Sequence, residues 1–430
     1  MEEMSAEAAI PMTLPAGIAI ARQAIHDRWT RVTGYALLLR PLRGGEELDE
    51  EHAATRVIVE TFTAIGVQTL TGDQPAYVRV PRRFLLELHA FALPPARVVL
   101  EVADPDPSDG PLHAVLERLV EQRYRVSLTC NPRARIPATL MGLADSVKLD
   151  VTGLDEAEIH ACAERFRPET EVLIAAGVDT PAQLAQCTAA GFDRFQGFFL
   201  CAPDVVAGQA PPTGRVAELR SLVGLYSQAT FEELEQTIAR DVGLSFRLLT
   251  YLNSAYFNLP RRVASVREAL MLLGMRAVQR WGTLIALSGA VDTPHELTLT
   301  ALLRARYCEL VARELPASAD GPSPDPDACF TVGLLSVMDA LAGVPLEQAV
   351  ASLPLTEEVR KALLSHEGPL GDVLAAVLAY ERGEPEVAAA RVAAAALPAL
   401  YLSALAWADE TSGMLRSTTA TSAATTSGAN

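Results

Sequence analysis

The 430-residue chain reads as two domains, an α/β TIM-like barrel followed by an all-α bundle. Three observations carry that expectation. Short β-type runs alternate with helical stretches up to about Pro203; strand patterns then stop; and helical periodicity takes over. The length agrees, because a chain of this size exceeds one ordinary hydrophobic core.

The expected strands are YALLL from Tyr35, AYVRV from Ala76, RVVLEV from Arg97, RVSL from Arg125, SVKLD from Ser146, VLIAAG from Val172 and RFQGFF from Arg194. Such runs, apolar on both faces and separated by helices, indicate a parallel sheet. No Gly-rich phosphate loop follows the first of them, so a (β/α) barrel is preferred to a Rossmann-type sheet. Residues at strand C-terminal ends, such as Glu101, Asp150 and Gln196, then belong to the barrel mouth.

The Pro/Gly-rich segment APDVVAGQAPPTGR, Ala202 to Arg215, has linker composition. Beyond it, ATFEELEQTIARD, LSFRLLTYLNSA and VREALMLLGMRAVQRWGTLIAL carry helical spacing. The expected division is a flexible N-terminus over 1–17, a barrel domain over 18–203, a linker over 204–215, a helical domain over 216–409 and a disordered tail over 410–430. The tail is assigned on its Ser/Thr/Ala-rich composition.

Composition excludes several function classes. A formal net charge of -17 argues against general nucleic-acid binding, which draws its affinity from Lys and Arg at phosphates. The six cysteines are scattered without a CxxC pair, and the N-terminus lacks a basic region followed by an apolar core, so a cytoplasmic location is expected. The uncharged run Val392 to Ala408 is too short and Ala-rich for a spanning helix, so no membrane insertion is expected. No GxSxG, HxxxH or HExxH pattern occurs, and no metal or other cofactor is expected.

Two sets of motifs resemble a known family. IARQAIHDRWTRVTGYALLLRP, from Ile20, and IAAGVDTPAQLAQCTAAGFDRFQGFFLCAP, from Ile174, resemble the RQPIFD…GYELLLR, AEGVET and QGYxxxxP signatures of EAL domains. RLLTYLNSAYFNLPRRVASVREALMLLGMRAVQRW, from Arg247, is similar to the LNSxxFxLPxxIxSIxxAxxxLGxxxLxxW run of HDOD domains. The whole looks like the bacterial YuxH-like group, an EAL domain fused to an HDOD domain.

That resemblance implies a fold without its chemistry. EAL phosphodiesterases hold two divalent cations with carboxylates and an Asn, and hydrolyse cyclic di-GMP. Positions where the resemblance expects metal or catalytic groups read Ala36, Arg79, Thr129, Cys130 and Ala176; Glu101, Lys148, Asp150, Asp179 and Gln196 remain. Lys148 and Asp150 are expected to pair with each other or with Arg79, and Glu101 with a nearby cation. In the second domain, the His-Asp pair of metal-dependent HD hydrolases corresponds to Ser336 and Val337.

The implied function is a catalytically inactive signalling protein that acts on unidentified signalling proteins through protein contacts, in or near cyclic di-GMP signalling. A receptor that binds cyclic di-GMP without cleaving it, and a residual phosphodiesterase, stay open, as does homo-oligomerisation. Arg247, Arg261, Arg262, Arg267, Arg276 and Arg280 form an arginine-rich span suited to an acidic partner, set against ordinary salt bridges on a solvated surface.

Overall fold

The computed structural model describes residues 18–41, 58, 61–62, 65–87, 93–106, 108–133, 136, 138–202, 230–240, 263, 265–274, 294–315, 323–351, 353, 355–391 and 396–427. The expected N-terminal segment, the linker and Arg247, Arg261, Arg262, Arg276 and Arg280 lie outside these residues.

Eight strands close a barrel in sequence order: β1 (Ile18–Asp27), β2 (Val32–Pro41), β3 (Ala76–Arg79), β4 (Val98–Ala103), β5 (Arg125–Cys130), β6 (Ser146–Asp150), β7 (Leu173–Ala176) and β8 (Arg194–Gln196). From β2 to β8 every neighbouring pair is parallel, whereas β1 runs antiparallel to both β2 and β8. The barrel with a parallel sheet is therefore as expected, with one strand added. β1 escaped the pattern because Arg22, Gln23 and Asp27 interrupt its apolar run. Its hairpin tip holds neither Gly nor Pro: Asp27 Oδ1 instead accepts from the backbone N–H groups of Trp29 and Arg31, each at 2.9 Å.

The two-residue period of the strands sorts their side chains. Val78, Leu100, Leu128, Leu149, Ala175 and Phe195 are fully buried, and the alternate set Ile25, Ala36, Tyr77, Val99 and Ile174 forms one packed cluster. RFQGFF was expected to stay extended to Phe199, but β8 stops at Gln196. A Cβ on Gly197 would lie 1.9 Å from the Val178 carbonyl oxygen, so backbone meets backbone there, and a 3-10 turn, Phe199–Cys201, follows. The helices before β7 and β8 start on matched caps, Asp155 with Glu158 and Thr180 with Gln183.

The chain divides into two compact units, one comprising 12–204 with 376–401, the other 1–11, 205–375 and 402–430. The stretch Ala376–Tyr401, expected within the helical domain, thus clusters with the barrel. In the helical unit His295–Glu314 packs on Pro326–Leu335, and a Cβ on Gly333 would sit 2.4 Å from the Arg304 carbonyl oxygen. That second helix starts on Asp325, whose side chain accepts from the Asp327 N–H.

The tail departs from expectation too. One helix runs Leu397–Ser427, through the segment whose composition suggested disorder. Leu402, Leu405 and Ala408 are buried, Trp407 meets Phe330 edge-on at 6.1 Å, and Thr411 and Ser412 are buried. A helix nucleated by packing propagates through Ala-rich sequence at little cost, which residue composition alone underweights.

Candidate functional site

The barrel mouth is built where β3 to β8 end. In the ladder Arg79 stands beside Glu101, Glu101 beside Ser127, Thr129 beside Lys148, Asp150 beside Ala176, and Ala176 beside Gln196. The five retained positions except Asp179 thus come from strands of one sheet, with Asp150 and Gln196 at strand ends; Asp179 sits just beyond β7.

Glu101 and Lys148 form an ion pair across β5, with side chains 9% and 4% exposed. Lys148 is thus the nearby cation expected for Glu101, and the expected pairing of Lys148 with Asp150 is corrected. The Lys148 ammonium also lies 5.3 Å from the centroid of the Tyr77 ring. Tyr77 Oη accepts from an Arg194 guanidinium nitrogen at 2.6 Å, and burial raises the phenol pKa above its ordinary value against the pull of Arg194. Carboxylate, ammonium, aromatic ring and guanidinium so make one chain of contacts inside the barrel. Tyr77 and Arg194 were not among the expected site residues. Their signal was present: each lies two residues before a mouth position, Arg79 and Gln196, and so faces the same way.

The other carboxylates are engaged by backbone. Asp150 is exposed and accepts from the Thr152 N–H at 3.0 Å. Asp179 accepts from the Phe198 N–H at 3.0 Å, while its own N–H donates to Gln183 at 2.9 Å. Gly177 fits between them only as glycine: at φ +76°, an added Cβ would lie 2.1 Å from Thr152 Oγ1 and 2.9 Å from Asp150 Oδ1. Gln196 donates to Gln23 Oε1 at 2.7 Å, a partner supplied by the unexpected first strand.

At the altered positions, Ala36 is buried in the interior cluster and Arg79 is exposed. Cys130 is buried, and burial followed by Asp104 pushes its thiol up to about 12, which leaves negligible thiolate at neutral pH. Three buried oxygens at this end of the barrel, Ser127 Oγ, Thr129 Oγ1 and Gln196 Oε1, have no hydrogen-bond partner among the described residues.

In the helical unit, Ser336 caps its helix and its hydroxyl donates to the Gly333 carbonyl at 2.7 Å. Arg304, 5% exposed, donates to Ser336 Oγ at 3.4 Å. Asp339 follows; burial raises its carboxyl pKa, with the Ala340 N–H and Arg304 acting the other way. A buried guanidinium therefore stands against the positions aligned with the His-Asp pair, a feature that no motif announced. Of the arginine-rich span, Arg267 is described: it is exposed and pairs with Glu235 at 3.2 Å.

Residues 213–367 match the HDOD domain family. The chain carries an HDOD domain. It is 26% identical over 374 residues to the uncharacterized protein YuxH of Bacillus subtilis, covering 84% of this chain and 90% of that protein. It is 27% identical over 373 residues to a Vibrio cholerae protein named as the cyclic di-GMP phosphodiesterase CdgJ, covering 85% of each. Among solved structures, the FimX EAL domain from Pseudomonas aeruginosa bound to c-di-GMP is similar over 43% of this chain and 89% of that one, at 16% identity and a TM-score of 0.34. Among the described residues no helix is long and apolar enough to cross a membrane.

Proposed function

We propose that this chain is a non-enzymatic signalling protein related to the cyclic di-GMP network, with a catalytically degenerate EAL-type barrel and an HDOD domain that act through protein contacts in the cytoplasm. The observation that carries the reading is the buried Glu101–Lys148 ion pair. A carboxylate already neutralised by an ammonium cannot also serve a divalent cation without breaking that pair, and breaking a buried pair is costly.

The residues of the mouth do not fit two divalent cations. Hard cations such as Mg²⁺ require near-octahedral oxygen donors. Here Ala36 and Ala176 offer no donor, Glu101 is paired with Lys148, Arg79 adds positive charge beside it, and Asp150 and Asp179 are left as carboxylates that each accept one backbone N–H. In the HDOD domain Arg304 brings a cation to the Ser336 region, where a metal would need negative or neutral donors. CdgJ's name supplies the relation to cyclic di-GMP signalling, and protein binding is the output left to a folded barrel without its metal set. The partner-facing candidates remain the arginine-rich span and an acidic partner, with Arg267 already held in a salt bridge.

A second reading, a receptor that binds cyclic di-GMP without cleaving it, is favoured by the three unpartnered buried oxygens of Ser127, Thr129 and Gln196. Buried polar atoms of this kind call for water or a polar ligand. Calorimetric titration with cyclic di-GMP, with and without Mg²⁺ or Mn²⁺, separates the readings. No heat beyond dilution in either condition fits an adaptor, metal-independent binding fits the receptor, and binding that requires metal overturns both.

A further inference from the structure

β8 is three residues long, and on its β1 side it reaches Ile25–Asp27 alone. Among the described residues, the edge of β1 turned away from β2 therefore has no strand partner from Ile18 to Ala24. Ala19, Ile20 and Ala21 are buried at 4%, 1% and 3% exposure, so water does not stand in. Buried backbone groups need partners, and an unpaired strand edge is a template for unwanted pairing.

Two tyrosines from the far end of the chain supply those partners. The Ile20 N–H donates to Tyr380 Oη at 3.1 Å, and the Tyr380 hydroxyl donates to the Ile20 carbonyl at 3.2 Å. One phenol thus reproduces the N–H and C=O exchange that a neighbouring antiparallel strand makes with a hydrogen-bonded residue. Two positions on, the Arg22 N–H donates to Tyr401 Oη at 3.1 Å. The two rings are 1% exposed each and lie 5.3 Å apart. Gly383, at φ +76°, turns the chain after Tyr380, where an added Cβ would come within 3.3 Å of Leu38 Cδ1 on β2.

We propose that Ala376–Tyr401 is a clasp that closes the barrel in place of a longer eighth strand, making barrel closure a property of the C-terminal helices. The helix that carries Tyr380, Gly368–Glu381, begins in the helical unit, so the clasp is covalently continuous with it. Releasing the clasp uncovers the Ile20 and Arg22 amides as a strand edge while leaving the parallel ladders of β3 to β7 paired.

Site-resolved hydrogen exchange on the full chain tests this. Tyr380→Phe should speed exchange of the Ile20 amide about tenfold with a smaller effect at Arg22, and Tyr401→Phe should do the reverse, the scale of one lost hydrogen bond. Exchange in β4 and β5 should hardly change. Unchanged rates at Ile20 and Arg22, or an equal rise across all strands, overturn the proposal. Should either variant fail to fold, the unaltered protein still decides: Ile20 and Arg22 must be as protected as Leu100 in β4, and exchange at the rate of an open edge refutes the clasp.

Discussion

Lys148 reaches back across β5 to Glu101 with both side chains removed from water. In that setting the loss of one partner leaves an uncompensated charge, whereas replacing both by apolar or neutral groups costs far less. Lys148→Met should therefore destabilise the protein by about 3–5 kcal/mol, and adding Glu101→Gln should recover part of that loss. Denaturant titration of the two single variants and the double variant provides the cycle. A loss below about 1 kcal/mol for Lys148→Met would mean that the pair is solvated. His26 offers a second test at this scale. It is 2% exposed and packs edge-on against Phe199 at 5.2 Å. Burial lowers its pKa from 6.5 to about 4, with Asp27 opposing. A depressed folded pKa means that the unfolded chain takes the proton first, so this contribution is complete above pH 6.5 and is lost as pH falls towards 4. The loss amounts to about 3 kcal/mol at full protonation. His26→Leu should make the melting temperature less sensitive to pH between 6.5 and 4 than it is in the parent; identical slopes would contradict the assignment.

At the scale of elements, the C-terminal helix offers a test of where packing ends. Ser412 Oγ and His295 Nδ1 share a hydrogen bond at 3.2 Å, with Ser412 2% exposed. Ser412→Ala should cost about 1 kcal/mol, measured by chemical denaturation, and a truncation that removes Ser412 should lower the melting temperature. An unchanged melting temperature on that truncation would show the helix end to be undocked. The seven strands β2 to β8 were legible because each is a short apolar run bounded by helical stretches, and Glu101, Asp150 and Gln196 were legible as mouth residues because they lie at or near the C-terminal ends of such runs. β1 was not, since its polar residues find their partners at a distance: Arg22 lies 4.4 Å from the Tyr35 ring centroid and donates to the Leu70 carbonyl at 2.6 Å. Tyr380 and Tyr401 were invisible as barrel residues for the same reason, because their partner strand lies more than 350 positions away. The identity of the Lys148 partner was equally hidden. Sequence proximity favours Asp150 two residues on, whereas barrel geometry brings Glu101 from two strands away.

At the scale of the whole molecule, the chain carries a net charge of -17, and in the barrel mouth the cations Arg79, Lys148 and Arg194 are matched by the carboxylates of Glu101, Asp150 and Asp179. The proposal at the centre is that this barrel performs no phosphodiester chemistry, because Ala36 and Ala176 supply no metal donor and Glu101 is held by Lys148. The most direct test is a cyclic di-GMP hydrolysis assay on the full chain with Mg²⁺ and with Mn²⁺, run alongside Glu101→Ala. The account predicts product formation no faster than the protein-free control for both proteins; turnover by the parent that disappears in Glu101→Ala would contradict it.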